Sequence, residues 1–139
     1  MFRTGVLAAA LLVAGFVPAA MGQGPEGFRS PSGNIHCQYI GDEDPTIRCD
    51  LRQTSNRPPP RPRDCDLEWG KAFEVSSRAT RGILLCHGDT VQDNSLPVLA
   101  YGRTWQRRGI TCISEQTGVR CSNARGAGFE IARAKQRVF

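Results

Sequence analysis

Apolar and polar residues alternate in two stretches of the chain, and an alternation of period two is typical of half-buried β-strands. In the stretch from Gly109 to Cys121, a polar turn at Glu115 to Gly118 separates two short apolar runs. Centring this turn places Cys112 directly opposite Cys121. Facing residues of antiparallel strands lie about 4.5 to 5.5 Å apart, which is within disulfide range. The pattern therefore predicts a β-hairpin closed by its own disulfide.

The earlier stretch, from Gly27 to Leu51, repeats this arrangement. A turn centred on Glu43 places Cys37 opposite Cys49. The same register pairs apolar side chains on the cysteine face, Ile35 with Leu51 and Tyr39 with Ile47. These matched pairs favour the register, because a slip by one residue would turn every side chain to the other face.

The two hairpins also match each other along the chain. Three pairs of residues are separated by one constant offset: Gly27 and Gly102, Ile35 and Ile110, Cys37 and Cys112. Such self-similarity predicts two related halves of one sheet system. The hairpins account for four of the six cysteines. Cys65 and Cys86 therefore remain as the third disulfide pair.

Residues 53–64, between the two halves, are rich in proline and arginine. Proline neither donates to a β-ladder nor continues a helix, so the segment is predicted to be an extended crossover. Short strand-like runs follow it, and Ala132 to Phe139 is predicted as a short helix or an edge strand. The predicted fold class is all-β: a small disulfide-stapled sandwich or partly open barrel of about seven to nine short strands.

Residues 1–22 have the features of a secretory signal peptide: Arg3 near the start, an apolar run from Val6 to Val17, and small residues at Ala20 and Gly22. The apolar run is shorter than the roughly 20 residues that cross a membrane as a helix. No membrane span is therefore expected after cleavage, and residues 23–139 form a single domain. Six cysteines, all beyond the leader, are typical of an oxidising compartment. The predicted location is secreted or periplasmic.

The net charge of +5 is spread along the chain rather than clustered. A scattered positive balance is usually a solvated surface, so it favours anionic partners only mildly and does not favour nucleic acid. The G-x-S-x-G, H-E-x-x-H, P-loop and dinucleotide-binding motifs do not occur in the sequence. No metal or cofactor is predicted, and the sequence leans away from an enzyme.

The candidate binding residues are the three large amphipathic aromatics, Trp69, Tyr101 and Trp105. Such rings are favoured at binding surfaces, so together they could form a platform for a glycan or a peptide. Half-buried packing against the core is the alternative interpretation for each of them.

The two histidines, His36 and His87, are the candidate catalytic residues of a rival hypothesis. Histidine titrates near neutral pH, so the pair could act as acid and base on a phosphodiester, with Arg48 or Lys71 stabilising the developing charge. The alternative is that both are surface histidines. In that case His36 pairs with Asp50, which lies across from it in the first hairpin.

Ordered motifs along nearly the whole mature chain carry a resemblance: PSGNIHC, RCDL, LLCHGDTV, VLAYGRTW, GITCISEQTGVRC and NARGAGFEIARA. The chain resembles a bacterial family of small secreted, cysteine-containing proteins that is classed as a domain of unknown function. The resemblance implies a secreted single domain. It implies no catalytic residue, cofactor or substrate.

The function predicted from these observations is a non-catalytic binding or envelope-associated module. Its predicted partner is an anionic envelope component, a glycan or a secreted protein. Two alternatives stay open: a weak phosphodiesterase that uses His36 and His87, and a secreted inhibitor of a hydrolase. Inhibition would depend on an exposed loop, either the crossover at residues 53–64 or the turn from Glu115 to Gly118.

Overall fold

The computed structural model describes residues 14–16 and 26–139. Apart from residues 14–16, the predicted signal peptide lies outside this part of the chain. The described residues form ten β-strands and no helix: β1 (Gly27–Arg29), β2 (Ile35–Ile40), β3 (Thr46–Leu51), β4 (Ala72–Ser76), β5 (Ile83–Leu84), β6 (Thr104–Arg107), β7 (Ile110–Glu115), β8 (Gly118–Asn123), β9 (Gly128–Ile131) and β10 (Gln136–Val138). Accordingly, they include no helix long and apolar enough to span a membrane.

The strands form two five-stranded antiparallel sheets, each with its strands in chain order. The first sheet runs from β1 to β5 and the second from β6 to β10. The all-β fold class is therefore confirmed. The strand number exceeds the predicted seven to nine because short strands complete the sheets, among them the two-residue strand β5. Residues 136–138 form an edge strand, which decides between the two predictions for the last segment.

The two predicted hairpin registers are correct. Cys37 faces Cys49 across β2 and β3, and Cys112 faces Cys121 across β7 and β8. Both pairs are disulfides with a Cα–Cα distance of 4.0 Å. Cys65 and Cys86 form the third disulfide, so all three predicted pairs are confirmed.

The sheet registers also support the predicted repeat. Cys49 faces Phe73 on β4, and Cys121 faces Phe129 on β9, so the fourth strands correspond as well as the hairpins. One predicted match is wrong, because Gly102 precedes β6. The second-sheet residue in register with the position of Gly27 is Thr104, since Gly27 faces Gln38 and Thr104 faces Ile113.

The core lies between the two sheets and is centred on the two hairpin disulfides. The Sγ atoms of Cys49 and Cys121 are 3.9 Å apart, so the disulfides touch across the sheets. Next to them, the rings of Phe73 and Phe129 pack with centroids 6.1 Å apart. All four cysteines of this centre are fully buried, whereas Cys86 of the third disulfide lies at the surface.

Two long connections, both leaving strands of the first sheet, interrupt the otherwise short turns. The crossover, residues 53–64, contains no strand or helix, as predicted. Its predicted position between the two halves is wrong, because it joins β3 to β4 within the first sheet. Between β5 and β6, residues 87–96 lie across the outer face of the first sheet, and we call this segment the strap. Leu96 at its end is buried. The outer face of the second sheet has no such cover in the described chain, and its Arg120 and Glu130 are partly exposed.

We expect the three disulfides to react in a fixed order with a water-soluble reductant. Because Cys86 is exposed while the hairpin cysteines are fully buried, Cys65–Cys86 should be reduced first. Brief reduction followed by alkylation and peptide mass mapping should show Cys65 and Cys86 labelled before any other cysteine. Labelling of a hairpin cysteine in folded protein that still holds Cys65–Cys86 would contradict this order.

Candidate functional site

A buried arginine joins the strap to the first sheet. Arg48 on β3 has a side-chain exposure of 10%, and Asp50, two residues further along the same strand, has 1%. The Nε and Nη2 atoms of Arg48 donate to the two carboxylate oxygens of Asp50 at 2.9 and 3.1 Å. Its Nη1 donates to the Asp89 carboxylate at 2.9 Å. The planar guanidinium of Arg48 donates to both carboxylates at once, and a lysine ammonium does not reproduce this hydrogen-bond geometry.

The electrostatics of this cluster follow from its geometry. Burial opposes the charged form of Arg48, but hydrogen bonds to Asp50 and Asp89 outweigh burial and raise the pKa of the guanidinium. The hydrogen bond from Arg48 lowers the pKa of the Asp89 carboxyl below its ordinary value. Both groups are therefore held in their charged forms at neutral pH.

The Asp50 carboxylate also binds the strap directly. Its Oδ2 accepts hydrogen bonds from the Thr90 hydroxyl at 2.8 Å and the Val91 amide at 3.0 Å. Gln38, on the same sheet face, donates from Nε2 to the Val91 carbonyl at 3.1 Å. The face of the first hairpin opposite its cysteines is therefore a polar interface covered by the strap.

His36 is part of this interface and is not a surface histidine, which corrects one of the sequence interpretations. The residue is fully buried because the strap covers it. Its Nε2 lies 3.0 Å from the Gly33 carbonyl, and its Nδ1 lies 3.1 Å from the Asp93 amide nitrogen. A carbonyl oxygen only accepts, so Nε2 donates to Gly33; Nδ1 also lies 3.1 Å from the Asp93 carbonyl oxygen. His36 faces Asp50 in the register as predicted, but its ring bonds to backbone instead.

A cavity of about 330 Å³ opens where the strap meets the end of β3 and the segment that joins the crossover to β4, and we call it the strap groove. Its lining includes several of the residues singled out in the sequence: Trp69, Lys71, His87, Asp50 and Asp89. Glu68, Arg52, Thr90 and Gln92 add further hydrogen-bonding groups. The groove therefore combines one large aromatic ring with charged groups of both signs.

Trp69 is held at this groove by the crossover. Its Nε1 donates to the Pro59 carbonyl at 2.9 Å, and the ring is half-buried. The next residue, Gly70, has φ +102°, and an added Cβ would lie 2.7 Å from the Pro58 side chain. Only glycine allows this approach without displacement of the chain. The crossover is thus a fixed support for the indole.

A disulfide and a bridge connect the two walls of the strap groove. Cys65, immediately after the crossover, is bonded to Cys86, immediately before the strap. Glu68 and His87 exchange two backbone hydrogen bonds of 2.8 and 3.1 Å. The distance between Trp69 and the strap is therefore set covalently and by backbone pairing.

His87 is the histidine that lines the strap groove. Its Nδ1 lies 3.2 Å from Nη2 of Arg48 and 2.5 Å from the Asp89 carbonyl oxygen. Its Nε2 is shielded from solvent and has no hydrogen-bond partner among the described residues. His36 does not line this groove, so the two histidines are not presented together to one cavity.

The remaining predicted aromatics lie in different environments. Trp105 packs against the Phe28 and Tyr39 rings at centroid distances of 6.0 and 5.7 Å and so contributes to the core. Tyr101 is 46% exposed and lines another cavity at one end of the two sheets. The three aromatic residues therefore do not form one platform.

The described residues contain one group of potential metal ligands, the sulfurs of Cys37, Cys49 and Cys121, which lie within 4.8 Å of one another. All three sulfurs belong to disulfides, which leaves no thiolate to bind an ion.

Sequence reasoning missed the strap and its link to Arg48. The signal available was the polar composition of residues 87–96, which fits a surface loop equally well. Arg52 was also missed, because it is one of many scattered arginines. Its place beside Trp69 depends on β3 leading directly into the crossover.

The sequence model of a protein family described as "Family of unknown function (DUF6636)" matches residues 7–139. No curated protein and no solved structure matches the chain significantly. The match covers the whole described domain from residue 26 onward.

Arg48 and Arg120 offer a matched test of the buried cluster, since they lie at corresponding positions facing Glu74 and Glu130. We expect Arg48→Ala to lower the free energy of unfolding by about 3 to 5 kcal/mol, because Asp50 is left as a buried unpaired charge. Arg120→Ala removes a half-exposed ion pair and should cost only about 0 to 1 kcal/mol. Urea unfolding of both variants measures the difference. Equal costs would contradict the anchoring role of Arg48.

The link between Arg48 and Asp89 should weaken in acid. Since the folded pKa of Asp89 is lowered, its stabilising contribution is complete above the ordinary aspartate pKa near pH 4 and is lost as pH falls through the lowered value. NMR signals of the Arg48 guanidinium should therefore shift with a midpoint below about pH 4. Asp89→Asn should abolish this transition. Its persistence in that variant would assign the transition to another carboxyl.

Proposed function

The chain belongs to the DUF6636 family, a family of unknown function, so we propose an activity from its own residues: a secreted or periplasmic, non-catalytic module that binds a glycan in the strap groove. Three disulfides favour a location outside the cytoplasm. The predicted signal peptide is consistent with this location.

The observation that carries the proposal is the fixed presentation of Trp69 beside hydrogen-bonding groups of both signs. The apolar face of a sugar ring packs against an indole, while its hydroxyls both donate and accept hydrogen bonds. Lys71 supplies donors, and Glu68 supplies acceptors, at the same cavity. A volume of about 330 Å³ lies within the range of small-ligand sites.

The rigid walls of the strap groove also favour binding. Trp69 is fixed through Pro59 and Gly70, and the strap is fixed through Arg48 and the Cys65–Cys86 disulfide. A site whose groups are already ordered loses little conformational entropy when a ligand binds. The fixed position of Trp69 and of the strap therefore supports a preformed site.

A non-catalytic role is favoured over the phosphodiesterase alternative by the position of the histidines. An acid/base pair must reach one substrate, and His36 uses both ring nitrogens on backbone groups beneath the strap. His87 is then the histidine left at the strap groove. Nδ1 of His87 already contacts the Arg48 cluster.

The protein has two tryptophans, so intrinsic fluorescence can report on Trp69. We expect titration of the Trp105→Phe variant with chito-oligosaccharides and with solubilised peptidoglycan fragments to change the emission of Trp69. Trp69→Ala should lower the affinity for the bound glycan by about 10-fold or more, as expected for loss of an aromatic anchor. Its melting temperature should stay close to that of the wild type.

Isothermal titration of the wild type and of Trp69→Ala with the same probes measures both affinities independently of fluorescence. Unchanged affinity in Trp69→Ala would contradict a role for the groove. Cleavage of any of these glycans by the purified protein would contradict the non-catalytic assignment. His87 would then be the candidate catalytic residue.

A further inference from the structure

We infer that the ligand is an extended, carboxylate-bearing glycan chain that passes from the strap groove over Arg52 into a second cavity lined by Tyr101. This inference rests on the proposed function and adds the length and charge of the ligand. The second cavity, which we call the end cavity, has a volume of about 440 Å³. Arg52 lines both cavities.

The backbone at Arg52 is fixed on both sides. Its amide donates to the Asn34 carbonyl at 2.8 Å, and Asn34 makes two further side-chain hydrogen bonds to Gln53. The Arg52 carbonyl lies 3.4 Å from the Lys71 ammonium, and the Leu51 amide donates to the Lys71 carbonyl. Asn34 lines the end cavity and Lys71 lines the strap groove. Arg52 is therefore a rigidly placed residue between the two cavities.

The side chain of Arg52, in contrast, is available. Arg52 is exposed, and within residues 26–139 its guanidinium takes part in none of the ion pairs. Arg48, only four residues earlier, donates to two carboxylates of the protein itself. An unpaired guanidinium is the group best suited to hold a carboxylate through two parallel hydrogen bonds. Arg48 therefore stabilises the fold, and the guanidinium of Arg52 is available to bind a ligand.

The end cavity repeats the chemistry of the strap groove. Tyr101 supplies an exposed ring, Arg133 supplies a second exposed guanidinium, and Glu115 supplies an acceptor. Serine and amide side chains of the β1–β2 turn complete its polar lining. Two cavities that each hold an aromatic ring, with an arginine between them, fit a chain of sugar units better than one isolated sugar.

The probes are oligogalacturonates of two, four and six units, with neutral chito-oligosaccharides of the same lengths as the uncharged comparison. Isothermal titration of the full secreted domain measures the dissociation constant of each. We expect affinity for the uronates to rise with length, because a longer chain engages both cavities. Uronates should also bind more tightly than neutral chains of equal length.

Four variants separate the contributions. Tyr101→Ala should weaken binding of the hexamer by about 10-fold and leave the dimer unchanged, because it changes only the end cavity. Arg52→Gln should weaken the uronates by about 10-fold and the neutral chains by clearly less, because it removes a charge-assisted bond while the glutamine amide can still hydrogen-bond a sugar hydroxyl. Arg125→Gln, an exposed arginine that lines neither cavity, is the matched control and should have no effect. Trp69→Ala should weaken every chain that binds.

The outcomes distinguish the two proposals. If Trp69→Ala weakens binding but neither chain length nor Tyr101→Ala matters, the strap groove binds a glycan and the extended site is wrong. If uronates and neutral chains bind equally, or Arg52→Gln weakens both alike, the carboxylate assignment is wrong. Failure of every uronate to bind overturns this inference. Binding that is indifferent to Trp69→Ala overturns the proposed function as well.

Discussion

The contact between two disulfides across the core is the constraint on which the rest of the domain depends. Each disulfide locks the register of one hairpin, and the 3.9 Å approach of Cys49 and Cys121 brings the hairpins together. Phe73 and Phe129 then occupy matching positions beside them. A domain of this length buries only a modest core. The two disulfides at its centre therefore hold the two sheets together around a modest apolar core.

The repeated halves share this centre but differ on their outer faces. Arg48 and Arg120 correspond in register, yet Arg48 is buried under the strap while Arg120 forms a half-exposed pair with Glu130. The difference arises from the strap, which adds Asp89 and Thr90 to the first sheet. A surface ion pair contributes little, whereas a desolvated one must be complete or it destabilises the fold. The same strand position thus has different roles in the two halves.

The parts of the fold that follow from local pairing were predictable from the sequence. Cross-strand register depends on alternation and on cysteine spacing, so Cys37–Cys49 and Cys112–Cys121 could be placed without a structure. The strap could not, because its attachment joins Asp89 to Arg48, 41 residues apart, through polar side chains that carry no periodic signal. His36 was misjudged for the same reason. A polar strand face is predicted to be exposed to solvent when the sequence does not show that another segment covers it.

Trp69 was predictable as a candidate binding residue, but the strap groove that it lines was not, because the groove lies where β3 meets residues of two irregular connections. In the second half, short turns join β8 to β9 and β9 to β10. In the first half, the crossover separates β3 from β4, and the strap follows β5. Loops on a rigid scaffold can change without loss of the core, and binding sites are commonly built from them. The paired strands thus provide the scaffold, and the groove lies beside two irregular connections, the crossover within the first sheet and the strap that follows it.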